Sequence, residues 1–302
     1  MLTMVIDPRR ADLGHGLLVQ RILPFAKRRM VGPFIFLDHA GPVQLPAEEV
    51  HKVDVRPHPH IGLSTVSYLF SGNVTHRDSL GVKQVIVPGE VNWMTAGRGI
   101  SHSERFEDPA AFAGTGLELL QSWVALPEED EETDPSFDNY PVEALPEARD
   151  GDIWMRLIAG DAYGLHSKVK THSPLFYVHA VLQAGATFTL PRGYEERAIY
   201  IASGAIEVGG QPYVAGQMLV FDRVGDDPTL KAGAAGAVLM LLGGDAVGPR
   251  HIWWNFVSSR KERIEQAKAD WESGRIALPP DDDEEFIPLP QQRPAPRIEP
   301  LS

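Results

Sequence analysis

Short β-branched and aromatic runs, each closed by glycine, proline or asparagine, constrain the fold of this chain more than any other feature. STVSYLF at 64–70 ends on Ser71-Gly72-Asn73, and KQVIV at 83–87 ends on Pro88-Gly89. FYVHAVL (176–182), AIYI (198–201), MLVF (218–221) and AVLMLL (237–242) follow. Turns are read at Ala184-Gly185, Ser203-Gly204, Gly209-Gly210 and Gly243-Gly244. Such runs suit a pleated surface, and such dipeptides suit the bends between strands. Two strand-rich blocks, 22–124 and 151–242, therefore predict an all-β chain of two barrels or sandwiches.

One helix is predicted, and it is late. Ser259 and Glu262 stand at the spacing of a capping box. Ile264, Ala267 and Trp271 then recur three and four residues apart, which gives one apolar face. Gly274 and Pro279-Pro280 end it. The proline-rich, charged remainder cannot build a core and is expected to be extended, either loose or laid along a neighbouring surface. The acidic stretch at 128–134 reads as a mostly solvated connector. The expected organisation is 1–135 as a metal-binding barrel, 136–248 as a barrel without metal ligands, and 249–302 as helix and tail.

Charge and composition close off several functions. With 28 Lys plus Arg against 41 Asp plus Glu, the net charge is −13, which repels phosphate backbones and argues against direct nucleic-acid binding. There are no cysteines, so thiolate metal sites, disulfides and Cys nucleophiles are excluded. The opening MLTMVIDPRRADLGHG has no apolar signal core, and no apolar run approaches a bilayer span. The expectation is a cytoplasmic protein with no membrane partner.

The chemistry concentrates in 56–104. His58 and His60 form H-P-H, and residues two apart on a strand share a face. His102-Ser103-Glu104 repeats that spacing. Two same-face pairs converging inside a barrel would supply three imidazoles and one carboxylate to a single divalent ion. This set leaves open positions for chemistry. Fe(II), Mn, Ni, Cu and Zn all remain compatible with it.

HPHIGLSTVSYLFSGNVTHRDS followed by PGEVNWMTAGRGISHSE resembles the pirin family of the cupin superfamily, over roughly 34–123. The resemblance implies a bicupin: two double-stranded β-helix (jelly-roll) barrels packed face to face, with one iron in the first. The family's ligands fall on His58, His60, His102 and Glu104. The chain departs at Ile61-Gly62-Leu63, where the family commonly carries Arg-Gly-Phe, and at Gly81-Val82-Lys83-Gln84. Its C-terminal GGDAVGPRHIWWNFVSSRKERIEQAKADW resembles a longer-tailed branch.

Matching Gly204 to Gly72 sets the stretch around Pro191, Gly193 and Arg197 against the ligand-bearing stretch of the first barrel, and none of these three is an ordinary ligand. Among the other histidines, His39 and His51 are candidates for the pocket mouth, with an ordinary structural role favoured. His76 reads as a polar strand end. His166, His172, His179 and His251 lack partners at ligand spacing. Phe36, Trp93 and Phe106 are candidate pocket neighbours, and Trp253-Trp254 reads as packing for the tail. Arg98, between two glycines, is a turn residue or an anion contact.

Some pirins resemble quercetinases. That implies a flavonol-like aromatic substrate and O2, with Glu104 as the candidate base. The alternative is an iron-dependent regulator that binds a transcription factor or metabolic enzyme without turnover, with acidic 128–134 and 281–285 as contact candidates. A non-oxidative metalloenzyme stands third.

Overall fold

The computed structural model describes residues 1–12, 18–108, 116–222 and 229–291. A four-stranded sheet is ordered Val55–His60, Ile100–Arg105, Val74–Asp78, Lys83–Ile86. It packs on a seven-stranded sheet centred on Leu63–Ser71, Leu117–Ala125 and Phe34–Val43, and together they form the first barrel. A ten-stranded sheet makes the second, and Leu2–Ile6 crosses over to pair with its Met218–Asp222 strand.

Alternation explains why the second-barrel strands read as continuous apolar runs. Phe176, Val178, Ala180 and Leu182 fill that barrel, as do Ile199, Leu219, Phe221, Leu239 and Leu241. The intervening Tyr177, Tyr200, Met218, Met240 and Leu242 turn the other way and join Ile22, Leu37, Val66 and Leu120 of the first barrel in one cluster. A sheet buried on both faces has no polar side to show. Each fully buried side chain of this size contributes roughly 1.5–3 kcal/mol.

Buried polar pairs set the relative placement of the barrels. His39 Nδ1 meets the Tyr200 hydroxyl at 2.7 Å, and Ser122 Oγ meets the Tyr177 hydroxyl at 3.0 Å. His39 is thus a structural residue between the barrels. The Tyr68 hydroxyl accepts from Arg156 Nη1 at 3.3 Å, which leaves its proton for His179 Nδ1 at 2.8 Å.

Burial, reinforced by Arg156, lowers the His179 pKa to about 4. The folded chain therefore keeps His179 neutral, whereas the unfolded chain protonates it below about 6.5. The unfolded state binds more protons across that window, so stability falls with pH from about 6.5 down to about 4. His179 alone accounts for roughly 2 kcal/mol of loss by pH 5. Urea unfolding at pH 7 and pH 5 should show a stability loss smaller by about that amount in His179→Gln than in the parent chain, the remaining slope coming from the other buried imidazoles. An unchanged slope would sink the assignment.

The C-terminal helix, Lys261–Glu272, buries Ile264, Ala267 and Trp271, the face read from the spacing. The capping box does not form. Arg260 is the N-cap and makes no side-chain cap bond. Ser259 instead gives its backbone N–H (2.7 Å) and its hydroxyl (3.1 Å) to the Glu131 carboxylate. The helix packs on Phe256 and on Ile61. The apolar residue at that family departure thus seats the helix. The chain passes close to Gly62, where an added Cβ would lie 2.1 Å from the Val257 carbonyl and φ is +66°. Only glycine accommodates both.

Beyond the helix the chain lies across the site sheet. Ser101 Oγ donates to the Ala277 carbonyl at 2.6 Å, and Asp282 accepts from Ser103 Oγ at 2.6 Å and Arg105 Nε at 2.8 Å. Glu285 also faces Arg105, so these acids are paired within the chain. The Ile287 N–H bonds the Pro57 carbonyl at 2.8 Å. Among the described residues no helix is long and apolar enough to cross a membrane.

Candidate metal centre

Three adjacent strands of the four-stranded sheet, Val55–His60, Ile100–Arg105 and Val74–Asp78, place six polar side chains on its inner face. His102 pairs across with His58 on one side and with Asp78 on the other. His60 is two residues from His58, and His76 lies opposite Glu104. The register with Val55–His60 shifts after His102, so that Glu104 pairs with Val55. That irregularity carries the carboxylate along the strand, away from the point where simple alternation would put it.

Three imidazoles converge. The ring centroids of His58 and His102 are 4.4 Å apart, and those of His60 lie 5.0 Å from each. Their donor nitrogens all come within 4.8 Å of one another, and among the described residues this is the one such group. His58 Nδ1 donates to the Arg56 carbonyl at 2.9 Å, which leaves its lone pair on Nε2. His60 Nε2 and His102 Nε2 approach to 3.1 Å. Two imidazole nitrogens at that distance need a proton or a cation between them. The spacing is close to that of adjacent ligands with bonds of about 2.1 Å.

Electrostatics agree with the geometry. Burial lowers His58 to about 4 and pushes His60 and His102 well below the ordinary histidine value, with neighbouring imidazoles adding to the effect. All three are therefore neutral at physiological pH, the form that ligates metals. Glu104 is outside the three-imidazole group but lines the same cavity, and burial raises its carboxyl to about 7. An ion held here would offset that desolvation, so the donor set fits a divalent cation.

The cavity over these residues has a volume of about 530 Å3. Phe36 and Trp123 stack at 4.1 Å to form one wall, and Trp123 meets His60 edge-on at 5.1 Å. Arg21 lies 4.8 Å over the Phe36 ring and holds Asp38 through two hydrogen bonds. Trp254, Asn255 and Ile287 close the outer side. Trp254 thus lines the cavity as well as packing against the tail, at a φ of +52°. Trp93 and Phe106, expected as neighbours, belong to other apolar clusters. Arg98 is a turn residue paired with Asp134. His51 is exposed, and His166 and His172 form exposed pairs with Asp161 and Asp130.

The Pirin family model matches residues 16–124, and the Pirin C-terminal cupin domain matches residues 177–277. The chain belongs to the pirin family. A pirin-like protein of Caulobacter vibrioides is 56% identical over 293 residues, covering 96% of this chain and 100% of that one. The crystal structure of a quercetin 2,3-dioxygenase from Acinetobacter baumannii superposes with a TM-score of 0.88 at 33% identity, covering 98% of this chain and 97% of that one. The bacterial pirin YhhW of Escherichia coli, solved in complex with nickel(II), shares the fold at a TM-score of 0.61 and 20% identity, covering 80% of this chain and 99% of that one. The bicupin architecture expected from the sequence is the one observed.

Two residues behind the site were passed over in the sequence. His76 reads there as a polar strand end, yet it is buried and stacks on Phe137 at 4.3 Å. Its signal was present: His76 and Asp78 have the same two-residue spacing as His58 and His60.

Proposed function

We propose that this pirin is an iron-dependent dioxygenase of the quercetin 2,3-dioxygenase type, acting on a flavonol-like aromatic ketone with O2. The observation that carries the reading is the neutral three-imidazole cluster at the base of a cavity walled by stacked aromatic rings. The likeness to the Acinetobacter enzyme supports it. His58, His60, His102 and Glu104 hold the ion, and Fe(II) suits such a nitrogen and oxygen set. When bound, the ion supplies Lewis-acid polarisation of the substrate oxygens and a route to reaction with O2.

The chain's own residues do the rest. Phe36, Trp123 and Trp254 offer flat apolar surface that positions an aromatic substrate and excludes water. Glu104, on the wall of the same cavity, takes the proton of the flavonol hydroxyl. In this reading the second barrel, 136–248, is a scaffold.

The test is metal analysis of protein purified without a His tag, with oxygen uptake on quercetin after anaerobic Fe(II) loading. The expected result is about one metal per chain and uptake abolished by chelation. Metal without uptake would overturn the dioxygenase reading and turn the search to bound proteins. Uptake without metal would overturn the site.

A further inference from the structure

We infer that Asp78 and His76 form a relay that fixes the tautomer of His102 and so readies its Nε2 for the metal. The inference rests on the reading of His58, His60 and His102 as ligands. Asp78 is fully buried, and each of its carboxylate oxygens is engaged. Oδ1 accepts the backbone N–H of Leu80 at 2.9 Å and of Val82 at 3.2 Å. Oδ2 faces His76 Nε2 at 2.9 Å. His76 Nδ1 in turn faces His102 Nδ1 at 3.3 Å.

The proton positions follow from the acceptor at one end. An ionised carboxylate only accepts, so His76 carries its proton on Nε2 and donates it to Asp78. His76 Nδ1 is then a lone pair, and His102 Nδ1 must carry the hydrogen that lies between the two rings. His102 Nε2 is left unprotonated, 3.1 Å from His60 Nε2. Phe137 stacks on His76 at 4.3 Å and fixes the orientation of the relay ring. The chain therefore selects, before any ion arrives, the one tautomer of His102 that can ligate. His58 reaches the same end through the Arg56 carbonyl.

Asp78→Asn is the informative variant, because it changes shape little while inverting the logic. The oxygen of the introduced amide keeps the two backbone N–H groups, which turns the amide nitrogen toward His76 Nε2. That nitrogen donates, so His76 must accept at Nε2 and carry its proton on Nδ1. His102 Nδ1 must then accept, and its proton moves to Nε2, the ligand atom. His76→Phe instead removes the relay and leaves His102 free to take either tautomer.

The experiment is Fe(II) and Co(II) affinity by chelator competition on the full chain, with the Co(II) visible spectrum as a second readout. Four proteins are compared: parent, Asp78→Asn, His76→Phe and the double variant. Outer-sphere partners of this kind are worth about 10- to 100-fold in affinity. Asp78→Asn should weaken binding at the upper end of that range and alter the Co(II) bands. His76→Phe should weaken it less, and adding Asp78→Asn to it should change nothing further. An equal loss from Asp78→Asn with and without His76 would mean a merely structural role and would overturn the relay, as would unchanged affinity. If the Phe variant does not fold, His76→Gln, which has no tautomers, takes its place. Failure of the parent chain to bind either ion would overturn the metal reading itself, a separate outcome.

Discussion

His102→Ala should leave the purified chain with only a small residue of metal, while its far-UV circular dichroism stays that of the parent. His102 sits on a central strand and, of the three converging imidazoles, is the one with a paired strand on each side, opposite His58 and opposite Asp78. Structural zinc sites with four ligands bind with about 10–16 kcal/mol, or roughly 3 kcal/mol for each ligand. Losing one should therefore weaken binding by about 100-fold or more, enough for the ion to be lost to a mild chelator during dialysis. His58→Ala should behave likewise. Metal content by elemental analysis decides it: parent-level occupancy in both variants would remove these histidines from the site. Glu104→Gln should differ, keeping part of the metal and losing most oxygen uptake. Its carboxylate stands apart from the three converging nitrogens, and in the proposed reaction it is the proton acceptor.

The architecture and the heart of the site were legible because both depend on local spacing. Alternation put His58 with His60 and His102 with Glu104 on one face, and every strand read at 176–182, 198–201, 218–221 and 237–242 lies within an observed strand. What was hidden depends on contacts between distant segments. Ser203-Gly204 reads as a turn, yet Glu196–Val208 runs straight through it, with the register shifting on either side. Glycine there serves a bulge, since an added Cβ would sit 2.2 Å from the Gly236 carbonyl. The same kind of shift beside Glu104 cannot be seen in a periodicity of two. Nor could the sequence show that the tail would reach back to the cavity, because Trp254 and Ile287 are brought there by bonds to residues some 130 to 230 positions away.

Those bonds lead to the second large effect, at Glu131. The acidic connector is mostly solvated as read, but Glu131 is 2% exposed. It accepts from Ser258 Oγ at 2.8 Å and from the Ser259 backbone at 2.7 Å, and it faces Arg250 Nε at 2.8 Å. Arg250 also donates to the Leu126 carbonyl at 2.8 Å. This pair fastens the hairpin of His251–Trp253 and Phe256–Ser258, whose tip carries Trp254 and Asn255 into the cavity wall. Removing one partner of a buried ion pair leaves an uncompensated charge and costs about 3–5 kcal/mol. Glu131→Ala should therefore lose about that much stability in urea unfolding and should also raise KM for a flavonol, as the wall loosens. Replacing both partners, Glu131→Leu with Arg250→Met, should recover most of the stability, since neither charge is then stranded. A single variant costing less than about 1 kcal/mol, the scale of an exposed pair, would mean that water reaches the pair. The cavity wall would then owe its position to the packing of Ile264, Ala267 and Trp271 on Ile61 and Phe256 alone.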